Sequence, residues 1–139
     1  MTRPITGGCL CGSIRYAIAG DPPMQVTCHC KNCQRQAGTA FSCVVGMPPE
    51  MLEIDGEVKV YKDHGESGSA VYREFCGKCG SPVFTRADSA SGMIFVKAGT
   101  FDDAERFSPT MHLFTKSQQH WLDTGSVPSF ATMPAEGSD

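Results

Sequence analysis

Seven of the eight cysteines in this chain lie in three tight clusters, and this clustering constrains the fold more than any other sequence feature. The clusters are Cys9-x-Cys11, Cys28-x-Cys30-x-x-Cys33 and Cys76-x-x-Cys79. Cysteines one or two residues apart on a tight turn can bind one zinc ion, which takes four tetrahedral ligands with Zn–S distances of about 2.3 Å. Two pairs of thiolates complete one structural site. The three remaining thiolates predict a second site with a coordination position open to water or substrate.

The N-terminal sequence favours metal binding over disulfide formation. It contains no continuous apolar stretch of the kind found in signal peptides, and no segment of the sequence reaches membrane-spanning length. We therefore expect a cytoplasmic protein with no membrane partner, in a compartment where clustered cysteines bind metal more often than they pair. Four disulfides are the rival interpretation, but adjacent bridges at these short spacings are geometrically unfavourable.

Length and composition favour one globular, β-rich domain. The chain has 139 residues, of which 40% are hydrophobic and 19% charged, with 15 glycines. This length buries a sizeable core in one domain but is short for two. We assign 1–124 to the domain and 125–139 to a C-terminal tail that packs in part on it. The formal net charge of -3 provides no large basic surface, so we expect no nucleic-acid partner.

Short segments with strand-like patterns predict many strands and almost no helix. Alternating apolar residues, or runs of strand-forming residues, predict strands at 13–18, 40–45, 57–61, 70–75, 81–85, 93–97 and 110–114. One or two helical turns are predicted at 32–36, ended by Gly38, and a second turn at 102–106. Many short strands with little helix predict antiparallel sheets that stack or fold over one another.

A zinc knuckle is predicted at the third cluster, Cys76-x-x-Cys79-Gly80, where two thiolates lie on a tight turn and glycine permits positive φ. The obvious second pair is Cys9 and Cys11, which is also flanked by glycines. Joining the two pairs closes a long loop, whose closure entropy is of order 4 kcal/mol. Zinc contributes roughly 10 to 16 kcal/mol to the folded state of small modules, so we expect this centre to staple the fold.

The second cluster, formed by Cys28, Cys30 and Cys33, predicts chemistry rather than structure alone. Three thiolates on one face of a zinc ion leave the opposite vertex free, and such a zinc favours an incoming thiol in its thiolate form. Sulfur chemistry is therefore favoured over water activation. The alternative is a fourth protein ligand, which would make this site structural. The candidates for that ligand are Cys43, His29, His112 and His120.

Several of these candidates have simpler interpretations. Cys43 lies in an apolar strand, where a single cysteine is more often a small buried hydrophobe than a ligand. His29 either presents a general base at the edge of the site or is a surface imidazole. His112 fits a hydrogen-bonded core histidine, and His64 fits a solvated loop residue.

Three segments carry the signature of a known family. They are Gly8-Cys9-Leu10-Cys11-Gly12-Ser13-Ile14-Arg15-Tyr16, Cys28-His29-Cys30-Lys31-Asn32-Cys33-Gln34-Arg35 followed by Gly38 and Phe41, and Arg73-Glu74-Phe75-Cys76-Gly77-Lys78-Cys79-Gly80. Together they resemble the glutathione-dependent formaldehyde-activating enzyme family, which also includes centromere protein V. The resemblance runs from about Gly7 to Trp121.

The resemblance implies a mainly β fold, a β-tent of curved antiparallel sheets with very little helix and two zinc sites. It implies that the structural zinc ligands are Cys9, Cys11, Cys76 and Cys79, in agreement with the pairing above. It also implies that Cys28, Cys30 and Cys33 bind a catalytic zinc. The activity it implies is that of a carbon–sulfur lyase, S-hydroxymethylglutathione synthase-like, acting on glutathione and formaldehyde.

The resemblance and the spacing together suggest further site residues. His29 is the candidate catalytic base, and Lys31, Arg35 and Arg73 are candidates to bind the carboxylates of glutathione as a co-substrate. The chain is shorter than family members with the named activity, so another thiol–aldehyde adduct stays open as the substrate. The alternative function is a non-catalytic zinc scaffold that carries glutathione or binds a protein. Chromatin binding is disfavoured by the acidic charge balance.

Overall fold

The computed structural model describes residues 3–134, in which ten strands and one short α-helix surround a single core. The strands are β1 Ile5–Gly8, β2 Arg15–Ile18, β3 Met24–Cys28, β4 Ser42–Met47, β5 Leu52–Asp55, β6 Val58–His64, β7 Ala70–Cys76, β8 Pro82–Ala87, β9 Ile94–Lys97 and β10 Met111–Leu113. The helix, α1, is Lys31–Ala37, and single 3-10 turns lie at Pro49–Met51, Asp88–Ala90, Ala98–Thr100, Ala104–Arg106 and Thr115–Ser117. The expectation of a mainly β fold with very little helix is therefore confirmed.

The strands form two sheets. A small sheet has the order β1-β2-β5, and a large sheet has the order β10-β3-β4-β9-β8-β7-β6. Every strand pair is antiparallel except β10 with β3, which is parallel. The expectation of antiparallel sheets is confirmed except at this pair, where the connection from β9 to β10 is long enough to return the chain across the sheet in the direction of β3.

The core lies between the small sheet and one face of the large sheet. It is formed chiefly by Ile5, Ile14, Tyr16 and Ile18 on the first side and by Val45, Met47, Phe84, Ile94 and Val96 on the second. The Tyr16 ring packs edge-on against Phe84, with ring centroids 5.6 Å apart, and its hydroxyl lies 2.6 Å from Thr100 Oγ1. The polar end of this buried ring is thus paired. The other face of the large sheet carries both apolar and polar residues, among them Val26, Cys28, Ser42 and Lys97.

All seven predicted strands are present, with bounds shifted by a few residues. Strands β1, β3 and β5 were not predicted from the sequence. Strand β1 contains Gly7 and Gly8, which disfavour a strand by propensity. Packing explains both glycines: a Cβ at Gly7 would lie 2.3 Å from the Thr100 carbonyl oxygen, and one at Gly8 would lie 2.3 Å from that of Ile14. The predicted helix and its end at Gly38 are confirmed, since Gly38 has φ 71° and donates its N–H to the Gln34 carbonyl.

The segment after Gly125 runs beside β10. The His112 N–H donates to the Pro128 carbonyl at 2.9 Å, and the Phe130 N–H donates to the His112 carbonyl at 2.8 Å. Part of the assigned tail, 135–139, and residues 1–2 of the assigned domain lie outside the described residues. No helix within 3–134 combines the length and apolar character needed to cross a membrane.

Candidate metal centres

The four-cysteine centre joins the β1–β2 connection to the β7–β8 hairpin. Cys9 and Cys11 lie between β1 and β2, Cys76 ends β7, and Cys79 lies in the turn before β8. Their four Sγ atoms lie within 4.8 Å of one another, and Cys11 Sγ lies 3.7 Å from the sulfurs of both Cys9 and Cys76. Sulfurs bound tetrahedrally at about 2.3 Å would be separated by about 3.8 Å, so this donor set fits zinc.

Hydrogen-bond donors around this centre favour thiolates. The N–H groups of Lys78 and Cys79 point at Cys76 Sγ, at 3.3 and 3.4 Å. Hydrogen bonds from the side chain and backbone of Ser81 lower the pKa of Cys79 to about 5. Burial raises the pKa of Cys9, but hydrogen bonds outweigh it and the resulting pKa is about 7. The hydrogen bonds of Ser13 lower the pKa of Cys11, but burial and the hydrogen bonds with Cys9 and Cys76 raise it on balance. Negative sulfur is therefore favoured at Cys79 and Cys9.

The three-cysteine centre lies where β3 passes into α1. Cys28 is the last residue of β3, Cys30 is the N-cap of α1, and Cys33 lies in its first turn. The three Sγ atoms lie within 4.8 Å of one another, and Cys30 Sγ accepts the Cys33 N–H at 3.2 Å. One helical turn thus brings three thiols to one point. This set fits zinc with one coordination position left for another ligand.

None of the candidate fourth ligands joins the three sulfurs. Among residues 3–134, no further His, Cys, Asp or Glu places a ligand atom within this cluster. His112 is buried and its Nδ1 lies 2.5 Å from Thr27 Oγ1, which confirms the interpretation as a hydrogen-bonded core histidine. Cys43 is half-buried against the core, where burial raises the pKa of its thiol, and His120 is exposed. His64 is exposed as expected, but it ends strand β6 rather than lying in a loop.

His29, the candidate base, is buried rather than exposed. Its side chain is packed on Phe41 with ring centroids 4.9 Å apart, and its Nε2 lies 3.0 Å from Thr27 Oγ1. The residue is only 1% exposed, so the interpretation as a surface imidazole is wrong. Burial, followed by the nearby His112, lowers the pKa of His29 and favours its neutral form. Its Nδ1 has no hydrogen-bond partner within residues 3–134.

The three candidate carboxylate-binding residues have different environments. Lys31 and Arg35 are exposed on α1. Arg73 is only 6% exposed, and its Nε and Nη2 donate to Asp63 Oδ2 at 3.2 and 3.1 Å. Its Nη1 lies 3.9 Å from Cys33 Sγ. Arg73 is thus held against the three-cysteine centre itself, and whether any of the three binds glutathione stays a prediction.

A second buried cation, Lys97, was not predicted from the sequence. It ends β9, is 6% exposed, and its Nζ donates to Ser42 Oγ at 2.6 Å. The thiols of Cys28 and Cys30 lower the pKa of Cys33 most, and Arg73 and Lys97 lower it further by their positive charge. The sole sequence signal for Lys97 is a charged residue at the end of an apolar strand.

Comparison with known proteins agrees with the two centres. The family described as "Glutathione-dependent formaldehyde-activating enzyme" matches residues 4–117. The fold is similar to the crystal structure of a Rhodobacter sphaeroides protein, with a TM-score of 0.56 and 15% identity over 90% of this chain and 99% of that one. A search of curated proteins found no significant match. Because the family match spans most of the sequence and includes all seven clustered cysteines, the chain belongs to the glutathione-dependent formaldehyde-activating enzyme family.

Proposed function

We propose that this protein is a zinc-dependent enzyme of the carbon–sulfur lyase type that forms and cleaves S-hydroxymethylglutathione or a related thiol–aldehyde adduct. The observation that carries this proposal is the three-cysteine centre: three sulfurs within 4.8 Å of one another, joined by no fourth protein ligand among residues 3–134. Cys28, Cys30 and Cys33 would hold the metal. When bound, zinc would stabilise the thiolate form of an incoming thiol.

The charges around the centre support a thiol as the incoming group. Three cysteine thiolates by themselves would repel a fourth negative sulfur. Arg73 and Lys97 oppose that repulsion, because both are buried cations that interact electrostatically with Cys33. A water-activating centre benefits from a strongly positive metal, whereas this one is arranged to tolerate additional negative sulfur.

In the proposed reaction, the protein positions the reactants and accepts the thiol proton. Addition of a thiol to formaldehyde forms the S–C bond directly, so positioning can supply much of the rate enhancement. The thiol proton must leave before or during the attack. His29 is our candidate acceptor, since it is the one buried side-chain nitrogen in the described chain without a hydrogen-bond partner.

Recognition of glutathione would involve exposed cations of α1. Lys31 and Arg35 are four residues apart, so they lie on one face of α1, whereas Cys33 lies on the opposite face. Glutathione has two carboxylates, and each cation can pair with one of them. Arg73 is a less suitable partner, because its guanidinium already bonds Asp63 and approaches a sulfur.

The proposal is tested by following S-hydroxymethylglutathione formation by NMR with protein whose zinc content has been measured. We expect two zinc ions per chain and a rate above the uncatalysed addition. Cys30→Ser should return the rate to background, while Cys43→Ser, a cysteine outside both centres, should leave it unchanged. Tight glutathione binding without acceleration would contradict the enzyme and favour the alternative, a zinc-scaffolded carrier. A single zinc per chain would also contradict the proposal.

A further inference from the structure

Lys97 is a buried cation for which the described residues provide no carboxylate partner. No Asp or Glu within 3–134 forms an ion pair with it. Its one hydrogen bond joins Nζ to Ser42 Oγ at 2.6 Å, which leaves two of its three N–H donors for other groups. Burying an ammonium group is unfavourable unless negative charge lies nearby. Burial lowers the pKa of Lys97, and negative charge on Cys33, Cys28 and Cys30 opposes this shift and favours the ammonium form.

The strand register places Lys97 on the same sheet face as the metal ligands. Ser42 lies directly opposite Cys28 on the neighbouring strand, and Lys97 lies opposite Val44, two residues beyond Ser42. Side chains two residues apart in a strand share one face. Cys28, Ser42 and Lys97 thus emerge on the face of the large sheet that is turned away from the hydrophobic core.

Two kinds of negative charge are relevant to Lys97. The first is the sulfur of Cys28, Cys30 and Cys33, with all of which the Lys97 ammonium interacts electrostatically. The second arises during the proposed reaction on the aldehyde oxygen, one bond from the carbon that sulfur attacks. Lys97 thus carries two N–H donors that Ser42 leaves unused, on the same sheet face as Cys28.

Resting on the proposed function, we propose that Lys97 is a catalytic residue whose ammonium group binds the aldehyde oxygen and stabilises its developing negative charge. As the S–C bond forms, the electron pair of the C=O π bond moves onto oxygen. The thiol proton passes to a base, and the oxygen accepts one proton from Lys97, which regains one from solvent. No oxidant or reductant is required. Preorganised donors of this kind are effective because they are oriented before the charge appears.

The glutathione carboxylates are a less suitable partner for Lys97. They are several bonds away from the reacting sulfur, whereas Lys97 shares a sheet face with Cys28 and is only 6% exposed. Exposed Lys31 and Arg35 are better placed for those distant groups. Ser42 has a positioning role, since its hydroxyl directs the ammonium without touching the reactants.

The first test compares Lys97→Met with Lys62→Met, an exposed lysine on β6, in the addition of two thiols to formaldehyde. Glutathione and 2-mercaptoethanol are used because only glutathione carries carboxylates. We expect Lys97→Met to lower kcat/KM about 10²-fold for both thiols, the effect of removing one oxyanion donor. Lys62→Met should match the wild type. A loss with glutathione alone would overturn the assignment, because Lys97 would then bind a carboxylate.

The second test measures binding without turnover, by calorimetry with two stable probes. S-carboxymethylglutathione carries an extra negative charge near the sulfur-linked carbon. S-ethylglutathione has an uncharged ethyl group in its place. We expect the wild type to prefer the charged probe and Lys97→Met to lose that preference, with S-ethylglutathione affinity unchanged. Equal preference in both proteins would overturn the proposal while leaving the proposed function intact. Failure of the wild type to accelerate the addition would instead contradict the proposed function.

Ser42→Ala provides a second variant in case Lys97→Met loses zinc or folds poorly. It keeps the positive charge and removes only the hydroxyl that positions Nζ. We expect kcat/KM to fall by roughly tenfold, with KM for glutathione and zinc content unchanged. Wild-type kinetics in Ser42→Ala, together with a wild-type preference for the charged probe, would contradict the assignment of Lys97 as the group that binds the aldehyde oxygen.

Discussion

The two cysteine centres use the same donor atom but join different parts of the chain. The four-cysteine centre links residues from the β1–β2 connection to the β7–β8 hairpin, so its closure restrains two sheets at once. The three-cysteine centre takes all its ligands from one short stretch at the start of α1. Closing a long loop restricts the unfolded chain far more than closing a short one. The first centre is thus placed to stabilise the fold, and the second is the one for which we propose a reactant.

The centres also differ in how their negative charge is balanced. Around the four-cysteine centre, the close neighbours are hydroxyl and backbone N–H groups, such as Ser13 Oγ at 3.2 Å from Cys76 Sγ. The cation that interacts with Cys9, Arg15, is exposed and paired with Asp102. Around the three-cysteine centre, they include two buried cations, Arg73 and Lys97. Hydrogen bonds are sufficient to balance the negative charge of the sulfurs where four protein ligands complete the set. Full positive charges are needed where another anion is to enter.

The sharpest test of this comparison is Cys76→Ser in the four-cysteine centre. Structural zinc contributes roughly 10 to 16 kcal/mol in small modules, which is comparable to the whole stability of a domain. We expect Cys76→Ser to lose the cooperative thermal transition and one equivalent of zinc. Circular dichroism melting combined with elemental analysis measures both. A melting temperature close to that of the wild type would show that this centre does not staple the fold.

The matched change in the other centre is Cys30→Ser. We expect the folded structure to persist, with a melting temperature within about 5 °C of the wild type, because the loop that this ligand closes is short. Adduct formation should fall to the uncatalysed rate. Melting and NMR rate assays on the same preparation provide the comparison. Unfolding as severe as that of Cys76→Ser would remove the distinction between the centres.

The role of the buried cation Arg73 is tested by Arg73→Met. This change removes the cationic partner of Asp63, which keeps hydrogen bonds from Asn32 and His64, and it removes a positive charge 3.9 Å from Cys33 Sγ. We expect a loss of about 3 kcal/mol in the free energy of unfolding, as for other broken buried pairs, and weaker zinc binding at the three-cysteine centre.

Asp63→Asn is the control for Arg73→Met, since it keeps the positive charge beside the sulfur. Urea unfolding and zinc titration should show a smaller stability loss and near-normal zinc binding. If Asp63→Asn weakens zinc binding as much as Arg73→Met does, Arg73 acts by shaping the site rather than by its charge.

The smallest expected effects concern the exposed cations of α1. Lys31→Ala and Arg35→Ala should each raise KM for glutathione about 2- to 5-fold, as expected for exposed ion pairs worth up to about 1 kcal/mol. Melting temperature and the KM for 2-mercaptoethanol should not change. Kinetics at low and high salt measure the effect, which should shrink as salt screens the charges. An unchanged glutathione KM in the double variant would exclude α1 as the carboxylate-binding element.

Much of the fold and the ligand sets could be predicted because their signals are local. Alternation within a few residues indicates a strand, and one helical turn ended by Gly38 places Cys30 beside Cys33. Strand β1 could not be predicted, because its Gly7 is required by the close approach of Thr100, a residue far along the chain. The burial of His29 has the same origin, since Phe41 meets it only after β3 and β4 have paired.

The sequence by itself determined which cysteines form each centre, since spacings of one or two residues bring thiols together whatever the rest of the chain does. Only the tertiary structure decided which charges surround them. Lys97 and Ser42 are 55 positions apart, and Arg73 lies 40 positions from Cys33. Their contacts depend on strand register, and a shift of one residue would turn each side chain to the opposite face of the sheet.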